Sequence, residues 1–425
     1  MTTTSMPEYP RPAAGEPRPY AFPRFERVRL DNGLRLVVAP VSKLPLVTVL
    51  AVVDAGAEAD PAGREGVARL TAQLLAEGTE RLGGAELTEQ VERLGAGLDA
   101  SADWDSAVVR LSVLAPRLHE AMALLGEVLT RPGFREREVA RLRNERLAEL
   151  LQVKADPGAL ADLAFTRLLY APDSRYALPA GGSETSVATL DRAAVMEFYS
   201  ARYQPASTTL VVVGDVSVAE AERLARETLG RWRGGTPAPV RVNDQPAATE
   251  RRLHLVAKPD AQQSELRLGH VGLSRSHPDY FPVTVMNALL GGLFSSRINL
   301  NLRERHGYTY GAHSSFDWRH AAGPFEVSAA VQSEVTHLAA REALGELTRF
   351  ADAPVEESEL CLATDYLDGV FPIRFETTTA IAGALAAIVV HDLPDDWYDT
   401  YRPFVRAVMP HDVQRAARDH LHPDR

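Results

Sequence analysis

The two halves of this 425-residue chain repeat one order of predicted elements, and this repetition constrains the fold most strongly. A β-branched run at 47–53 is followed by helical patterns, two short strands and a helix that carries Leu125-Gly126-Glu127. The second half follows the same order, with Leu344-Gly345-Glu346 at the equivalent place. A repeat of about 200 residues per copy predicts two similar domains. Antiparallel-looking strands mixed with helices predict an α+β fold, with two homologous domains that are each a mostly antiparallel sheet flanked by helices.

Composition and turn signals predict where these domains begin and end. Residues 1–22, rich in Pro, Thr and Gly, predict a flexible N-terminal arm. A hairpin pattern, turning at Asp31-Asn32-Gly33, opens a first domain over 23–232. Residues 233–251 hold glycines, prolines and polar residues without a period, as expected of a linker. The second domain covers 252–425, and its first predicted strand is 252–256.

Charge and composition exclude several classes of protein. The net charge of −11 argues against general nucleic-acid binding, because nothing offsets repulsion from phosphates. The single cysteine, Cys361, forbids an internal disulfide, and its apolar surroundings predict a buried structural thiol. We find neither a secretory-signal pattern nor a run of about 18 apolar residues, so we expect a cytoplasmic protein without membrane contact.

Searches for local catalytic motifs give little. The twelve histidines form no H-E-x-x-H motif, no H-x-x-E-H motif and no pair of histidines at positions i and i+4. His420 and His422 lie in the polar C-terminal tail, which favours a solvated terminus over a metal site. Gly291-Gly292 opens a helix but lacks the lysine and spacing of a phosphate-binding loop, so helix capping by Ser295 or Ser296 is the simpler interpretation.

One segment carries residues suited to oxyanion chemistry. Arg303 falls in the last turn of a predicted helix that ends at Gly307, and Tyr310 falls two residues into the next strand, on the same face as Tyr308. A guanidinium and a phenolic O–H that converge on one point suit a carbonyl oxygen that becomes an oxyanion. The residues alone favour a simpler interpretation, in which Arg303 is a surface arginine that pairs with Glu304 or with the helix C-terminus, and Tyr310 is a tyrosine of the core.

The stretch L-R-E-R-H-G-Y-T-Y, residues 302–310, resembles a motif in the C-terminal domain of the pitrilysin-like (M16) zinc metallopeptidases, whose arginine and tyrosine have the spacing of Arg303 and Tyr310. Weaker resemblances follow in the family's order at 30–35, 52–61 and 258–264, and together they span about residues 25–420. The resemblance implies two homologous α+β domains per subunit, and two subunits that form a clam-like chamber around a peptide.

The chain departs from the family at the zinc site. Active members carry H-x-x-E-H on the helix after Gly66, where this chain has Arg69, Ala72 and Gln73 at the places of the first histidine, the glutamate and the second histidine. Arg69 would repel Zn²⁺, and Ala72 cannot activate water. Glu149 stands at the place of the third ligand, but one carboxylate cannot hold a catalytic zinc, and a helix-surface charge is the simpler interpretation. Residues 99–102, aligned with the family's substrate-binding edge strand, are structural on the simpler interpretation.

The resemblance therefore implies a non-catalytic, substrate-binding subunit of a heterodimeric zinc metallopeptidase. Arg303 and Tyr310 would bind the peptide and stabilise the tetrahedral intermediate at the zinc of a homologous H-x-x-E-H partner. We expect no metal or cofactor in this chain, no activity of the chain alone, and metalloendopeptidase activity in the complex. Two alternatives stay open: a scaffold subunit without a role in hydrolysis, and a companion that presents a peptide precursor for maturation.

Overall fold

The computed structural model describes Gly15 and residues 18–425. The strands in these residues form two sheets. Their bounds are β1 Glu26–Arg29, β2 Arg35–Pro40, β3 Leu46–Val53, β4 Gly97–Ala102, β5 Ala107–Leu114, β6 Thr208–Gly214, β7 Gln263–Val271, β8 Thr309–Phe316 and β9 Pro324–Gln332.

The helices lie between these strands and after them. Their bounds are α1 Val67–Leu75, α2 Gly84–Arg93, α3 Leu118–Thr130, α4 Glu136–Ala155, α5 Pro157–Leu169, α6 Glu184–Ala188, α7 Arg192–Arg202, α8 Val218–Leu229, α9 Tyr280–Asn287, α10 Arg297–Asn299, α11 Thr336–Asp352, α12 Glu357–Val370, α13 Thr378–Val390, α14 Trp397–Ala407 and α15 Pro410–His420. Two segments, Ala288–Gly292 and Leu300–Arg305, are π-helical.

The first sheet has the order β1-β2-β6-β3-β5-β4, and only the β2–β6 pair is parallel. The β-branched run predicted as a central strand is β3, which pairs with β5 on one side and β6 on the other. Its residues are buried from Val47 to Val53, because helices cover both faces. The predicted opening hairpin is confirmed as β1 and β2.

The second sheet has the order β7-β9-β8 and is antiparallel throughout. Its strands follow the order of β3, β5 and β4 in the first sheet, with helices at the equivalent points of the chain. This confirms the α+β class and the repeat of two mostly antiparallel domains with flanking helices. Each domain has a hydrophobic core of its own.

The two domains exchange helices. Helix α13, from the second half of the chain, packs on β3 and β6 of the first sheet, where Leu385 is fully buried. Helix α5, from the first half, packs on β7 of the second sheet, and Asp162 lies 2.6 Å from Arg267 there. Because each domain covers a sheet of the other, the end of α13 is held against the first domain.

Three expectations from the sequence are wrong in part. Residues 252–256 form no strand, and Leu253 is 95% exposed because no strand lies beside it. Residues 18–22 are not a free arm, since Tyr20 and Phe22 stack against Phe375 and the rings around it. The rest of that predicted arm, Gly15 apart, lies outside the described residues. Cys361 is exposed rather than buried, because it lies on the outer face of α12.

In the described part of the chain, no single helix has the length and apolar character needed to cross a membrane. One helical pair, Glu357–Phe375 with Thr378–Val390, meets that test only when combined, across a bend of 112°.

Candidate functional site

The position of the family's zinc motif is occupied by an ion pair. Arg69, on α1, lies 3.1 Å from the carboxylate of Glu149 on α4. Arg146 reaches the same carboxylate oxygen at 2.9 Å. Ala72 is completely buried in the first core, and Gln73 is half-buried beside it. The structure therefore brings together the two helices that would carry a metal site, but with a guanidinium where a ligand would stand.

Buried groups fix the start of α1. The carboxylate of Asp60 is fully buried and accepts hydrogen bonds from the backbone N–H groups of Gly66 at 2.7 Å and Ala68 at 2.8 Å. Arg175 lies 2.7 Å from the same carboxylate. These contacts satisfy backbone donors that a helix leaves free at its first turn. The helix position is thus well defined although the metal motif it would present is missing.

A catalytic zinc does not fit these residues. Burial, with the nearby Arg146 guanidinium, lowers the pKa of Arg69, but an arginine side chain keeps its charge in proteins. A fixed positive charge beside Glu149 opposes binding of a divalent cation at the only carboxylate of the set. Ala72 has no group that could accept a proton from water. These four residues therefore lack the ligand set and the proton acceptor that a catalytic zinc site needs.

Arg303 lies in the π-helical segment Leu300–Arg305. Gly307, the predicted helix end, follows this segment by two residues. It has φ +64° and donates its N–H to the Arg303 carbonyl at 3.0 Å. The guanidinium of Arg303 lies 4.6 Å from the ring centroid of Phe294 and 3.4 Å from Glu304. The Arg303 side chain is 35% exposed, so part of it faces solvent.

Tyr310 is displaced outward by a β-bulge. Thr309 pairs with Val331 and Ala312 pairs with Ala329, so β8 carries one more residue than β9 between these two pairs. The hydroxyl of Thr309 holds the bulge: it accepts the N–H of Gly311 at 3.1 Å and lies 2.6 Å from the Ala330 carbonyl. Bulges commonly redirect a side chain beside a functional site. Here the side chain is that of Tyr310, which is 91% exposed.

These contacts agree with the simpler interpretation of the sequence for Arg303 but not for Tyr310. The pairing of Arg303 with Glu304 is present, but Tyr310 is not a core residue. The expectation that Tyr308 and Tyr310 share a face is wrong, since Tyr308 packs against the second core and Tyr310 faces solvent. The reason is that Tyr308 precedes β8 and that the bulge interrupts the alternation. Whether Arg303 and Tyr310 serve one oxyanion remains a prediction.

Strand β4, which contains residues 99–102, is the edge strand of the first sheet. It pairs only with β5, and its residues alternate between exposed and half-buried. Its other edge has no strand partner in the described residues. A structural role and a role as a strand acceptor for an extended peptide are both compatible with this arrangement.

Sequence reasoning missed the residues that position the pair. Phe294 lies under the Arg303 guanidinium, and its 68% exposure marks it as an apolar residue on the surface. Thr309 fixes the bulge through its hydroxyl. A Tyr-Thr-Tyr-Gly run at the start of a strand carries a weak signal for a bulge, because glycine inside a strand pattern often marks one.

Two groups of side chains in the described residues have the composition of a metal site. One is Asp105, His320 and His391, and the other is His277, Asp279 and His420. In the second group, Arg415 already lies 2.7 Å from Asp279 and holds the pKa of that carboxyl well below its usual range. Only the first group lacks a guanidinium ion pair among the described residues.

Comparison with protein families gives two matches on this chain. Residues 37–172 match the family described as insulinase (peptidase family M16), and residues 189–365 match the peptidase M16 inactive domain. An uncharacterised zinc protease of Streptomyces coelicolor is 23% identical over 400 residues, which cover 93% of this chain and 87% of the relative. The probable mitochondrial-processing peptidase subunit beta of Schizosaccharomyces pombe is 26% identical over 278 residues, 64% of this chain and 60% of the relative.

Solved structures agree with these matches. A peptidase M16 inactive domain from Pseudomonas fluorescens has a TM-score of 0.88 at 27% identity, over 94% of this chain and 96% of that one. A protease from Helicobacter pylori has a TM-score of 0.87 at 20% identity, over 94% and 97%, and this second likeness shows the fold alone. Together these matches show the M16 family and its fold over both halves of the chain.

Proposed function

The chain belongs to the M16 peptidase family, whose models match both of its halves, and from that premise we propose that it is the substrate-binding subunit of a heterodimeric zinc peptidase. The single observation that carries the proposal is the replacement of the metal motif by an ion pair, Arg69 with Glu149, while a solvent-facing Arg303 and Tyr310 are kept. The zinc of the complex is then held by an H-x-x-E-H homologue, and this chain holds none at the M16 position.

The exposure of Tyr310 supports action on a second molecule. The bulge holds the Tyr310 side chain in solvent, where it buries little surface. Its O–H donates no hydrogen bond to another group in the described residues. The Arg303 guanidinium packs against the ring of Phe294. This contact leaves N–H donors of the guanidinium available to bind a carbonyl or an oxyanion. In a two-subunit chamber, these donors face a peptide whose scissile bond lies at the partner's zinc.

The donors would act on the charge that develops during hydrolysis. The partner's zinc would supply an activated water; hydrolysis of a peptide bond puts negative charge on the scissile carbonyl oxygen, and hydrogen-bond donors aimed at that oxygen lower the barrier. Arg303 contributes a charged donor and Tyr310 a neutral one. Neither residue needs to transfer a proton in this role, which suits an arginine that remains charged.

Names of relatives support a subunit role, although each name belongs to its own protein. The fission-yeast relative is described as a subunit of a processing peptidase, and several bacterial relatives are described as zinc proteases. A scaffold subunit and a presenter of a precursor peptide are the outcomes that the experiment below separates from the proposal.

The test is reconstitution with an H-x-x-E-H homologue from the same genome. The two chains are mixed, the complex is isolated by size-exclusion chromatography, and cleavage of a quenched fluorescent peptide library is measured. In that complex, Tyr310→Phe lowers kcat by about 10²–10³-fold, because one donor to the oxyanion is lost. Arg303→Ala has a similar effect on kcat and a larger one on KM, because a two-pronged donor is lost.

Matched controls lie close by. Tyr366→Phe changes another exposed tyrosine, 52% exposed on α12, and Arg305→Ala changes an exposed arginine of the same segment. Both controls keep the parent kinetics, and the zinc content of the partner stays the same in every variant. If Tyr310→Phe and Arg303→Ala also keep the parent kcat and KM while the complex forms, the chain is a scaffold and the proposal is wrong.

A further inference from the structure

Four polar side chains from both domains meet at one point of the domain interface. Glu58 lies on the turn Ala57–Ala59, and Asp105 lies in the loop between β4 and β5. His320 lies in the loop between β8 and β9, and His391 directly follows α13. Both carboxylates are buried, with 9% and 6% of each residue exposed. We call this group the interdomain cluster.

The polar atoms of the interdomain cluster lie close together, and the shortest contact, between His320 Nδ1 and Glu58 Oε1, is a hydrogen bond. His320 Nδ1 lies 2.8 Å from Glu58 Oε1 and 3.6 Å from Asp105 Oδ1, and His391 Nδ1 lies 3.9 Å from Asp105 Oδ2. Around a tetrahedral zinc with bonds of about 2.0–2.1 Å, ligand atoms are about 3.3–3.4 Å apart. The distances of 3.6 and 3.9 Å from the two imidazoles to Asp105 exceed this spacing by a few tenths of an ångström.

The backbone orients the first imidazole for this role. His320 Nε2 lies 2.6 Å from the Val390 carbonyl, to which it donates, so Nδ1 is the nitrogen that faces the carboxylates. The backbone N–H of His320 also donates a hydrogen bond to the Asp105 carboxylate at 3.2 Å. A histidine that binds a metal through one nitrogen usually donates its other N–H to a carbonyl or carboxylate.

The second imidazole has an unused buried nitrogen. His391 Nδ1 is buried and has no hydrogen-bond partner among the described residues. A buried polar atom without a partner costs about 1–3 kcal/mol, so such atoms are rare without a function. This nitrogen faces Asp105 across 3.9 Å, a gap too long for a hydrogen bond and about one metal ion wide.

The charge balance of the cluster favours a cation. Within residues 18–425, Glu58 and Asp105 form ion pairs only with imidazoles and with no lysine or arginine. Arg319, the neighbour of His320, lies 2.5 Å from Asp317 and stacks over Trp104 instead. Two buried carboxylates therefore depend on a proton at His320 or on an ion for neutralisation.

We propose that Asp105, His320 and His391 bind one divalent transition-metal ion of the zinc type, with Glu58 as the neighbouring carboxylate. Imidazole ligands select zinc and its neighbours over magnesium and calcium. A cavity of about 310 Å³, lined by Glu58, Asp105 and His320, gives the ion a path from solvent. Because its ligands come from both domains, the ion fixes the domain arrangement and carries no peptidase chemistry. The inference differs from the expectation from the sequence that this chain holds no metal, and it is independent of the proposed function.

The test is metal binding by the full chain alone. The protein is stripped with a chelator, titrated with Zn²⁺ in a calorimeter, and titrated with Co²⁺ while the visible absorption of the cobalt is recorded. We expect one equivalent of metal per chain and a Tm that rises with the zinc concentration. His391→Gln and His320→Gln each weaken binding at least about tenfold and change the cobalt spectrum. Asp105→Asn, which keeps the shape of the side chain, does the same.

The second His/Asp group provides the matched control. His420→Gln removes an imidazole that lies 2.7 Å from Asp279, where Arg415 already neutralises the carboxylate, and metal binding stays at the parent level. The circular dichroism spectrum of each variant is compared with that of the parent to confirm folding. The proposal is overturned if the folded parent binds no stoichiometric metal at micromolar concentrations. It is also overturned if the folded His391→Gln and Asp105→Asn variants bind metal as the parent does.

Discussion

Thr309→Val tests whether a single hydroxyl holds Tyr310 in place. The hydroxyl of Thr309 accepts one hydrogen bond from Gly311 and donates one to Ala330, at 3.1 and 2.6 Å. Valine keeps the shape and the preference for strands but removes both bonds. At about 0.5–1.5 kcal/mol for each bond, and with a half-buried site, we expect a loss of about 1–2 kcal/mol in the free energy of unfolding. Urea denaturation of the chain alone measures this loss.

The same change carries a functional consequence, because the bulge aims Tyr310. In the reconstituted complex, Thr309→Val lowers kcat although Tyr310 itself is intact. Thr309→Ser keeps the hydroxyl and retains most of the stability and of kcat, which separates the hydrogen bonds from the methyl group. Equal stability and equal kinetics for Thr309→Val and the parent would show that the bulge is set by other contacts and that this reasoning is wrong.

Two further predictions concern the buried ion pair of the second domain and the vacant metal motif of the first. The carboxylate of Asp368 is fully buried and bound by two arginines that hold its pKa well below its usual range, so Asp368→Asn costs about 1.5–3 kcal/mol in urea denaturation. Because the folded pKa lies below the unfolded one, this contribution is complete above the ordinary value of 3.8 and is lost as the pH falls below it; an acid titration in which Asp368→Asn and the parent lose stability in parallel would refute this. Changing Arg69 to His, Ala72 to Glu and Gln73 to His together adds one equivalent of zinc beyond that of the parent, because position 69 already reaches Glu149. Elemental analysis measures it, and adding Glu149→Gln to the triple variant weakens the gain.

Local patterns were sufficient to predict most elements of the fold. The run 47–53 is apolar apart from Thr48 and rich in β-branched residues, and it forms the central strand β3, which lies between two other strands. The helix expected at 218–229 is α8, where Ser217 caps the first turn and apolar residues recur on one face. In such segments the period of the side chains and the end signals agree, so a single sequence suffices.

Contacts between distant parts of the chain could not be predicted in this way. The alternating pattern at 252–256 indicates a strand. A strand also needs a neighbouring strand to pair with, and a local pattern cannot show that this neighbour is missing. Helix α13 is apolar on most of its surface, which indicates burial without indicating that the other domain covers it. His320 and Glu58 are 262 residues apart, so no motif search joins them.

The geometry around the candidate site residues could not be predicted from the sequence. The spacing of Arg303 and Tyr310 came from a resemblance, and alternation alone placed Tyr310 on the wrong face. The bulge arises from a mismatch in register between β8 and β9, which depends on both strands. The ion pair of Arg69 with Glu149 joins positions 80 residues apart, and the resemblance placed both positions at the metal site without showing that they touch.

The most direct test of the central claim is the peptidase activity of three samples: this chain alone, its H-x-x-E-H homologue alone, and the two combined. We expect no cleavage by this chain alone, little by the homologue alone, and efficient cleavage by the isolated complex, abolished by a chelator that removes the partner's zinc. Full activity of the homologue alone, unchanged when this chain is added, would contradict the account. So would peptide cleavage by this chain in the absence of the homologue.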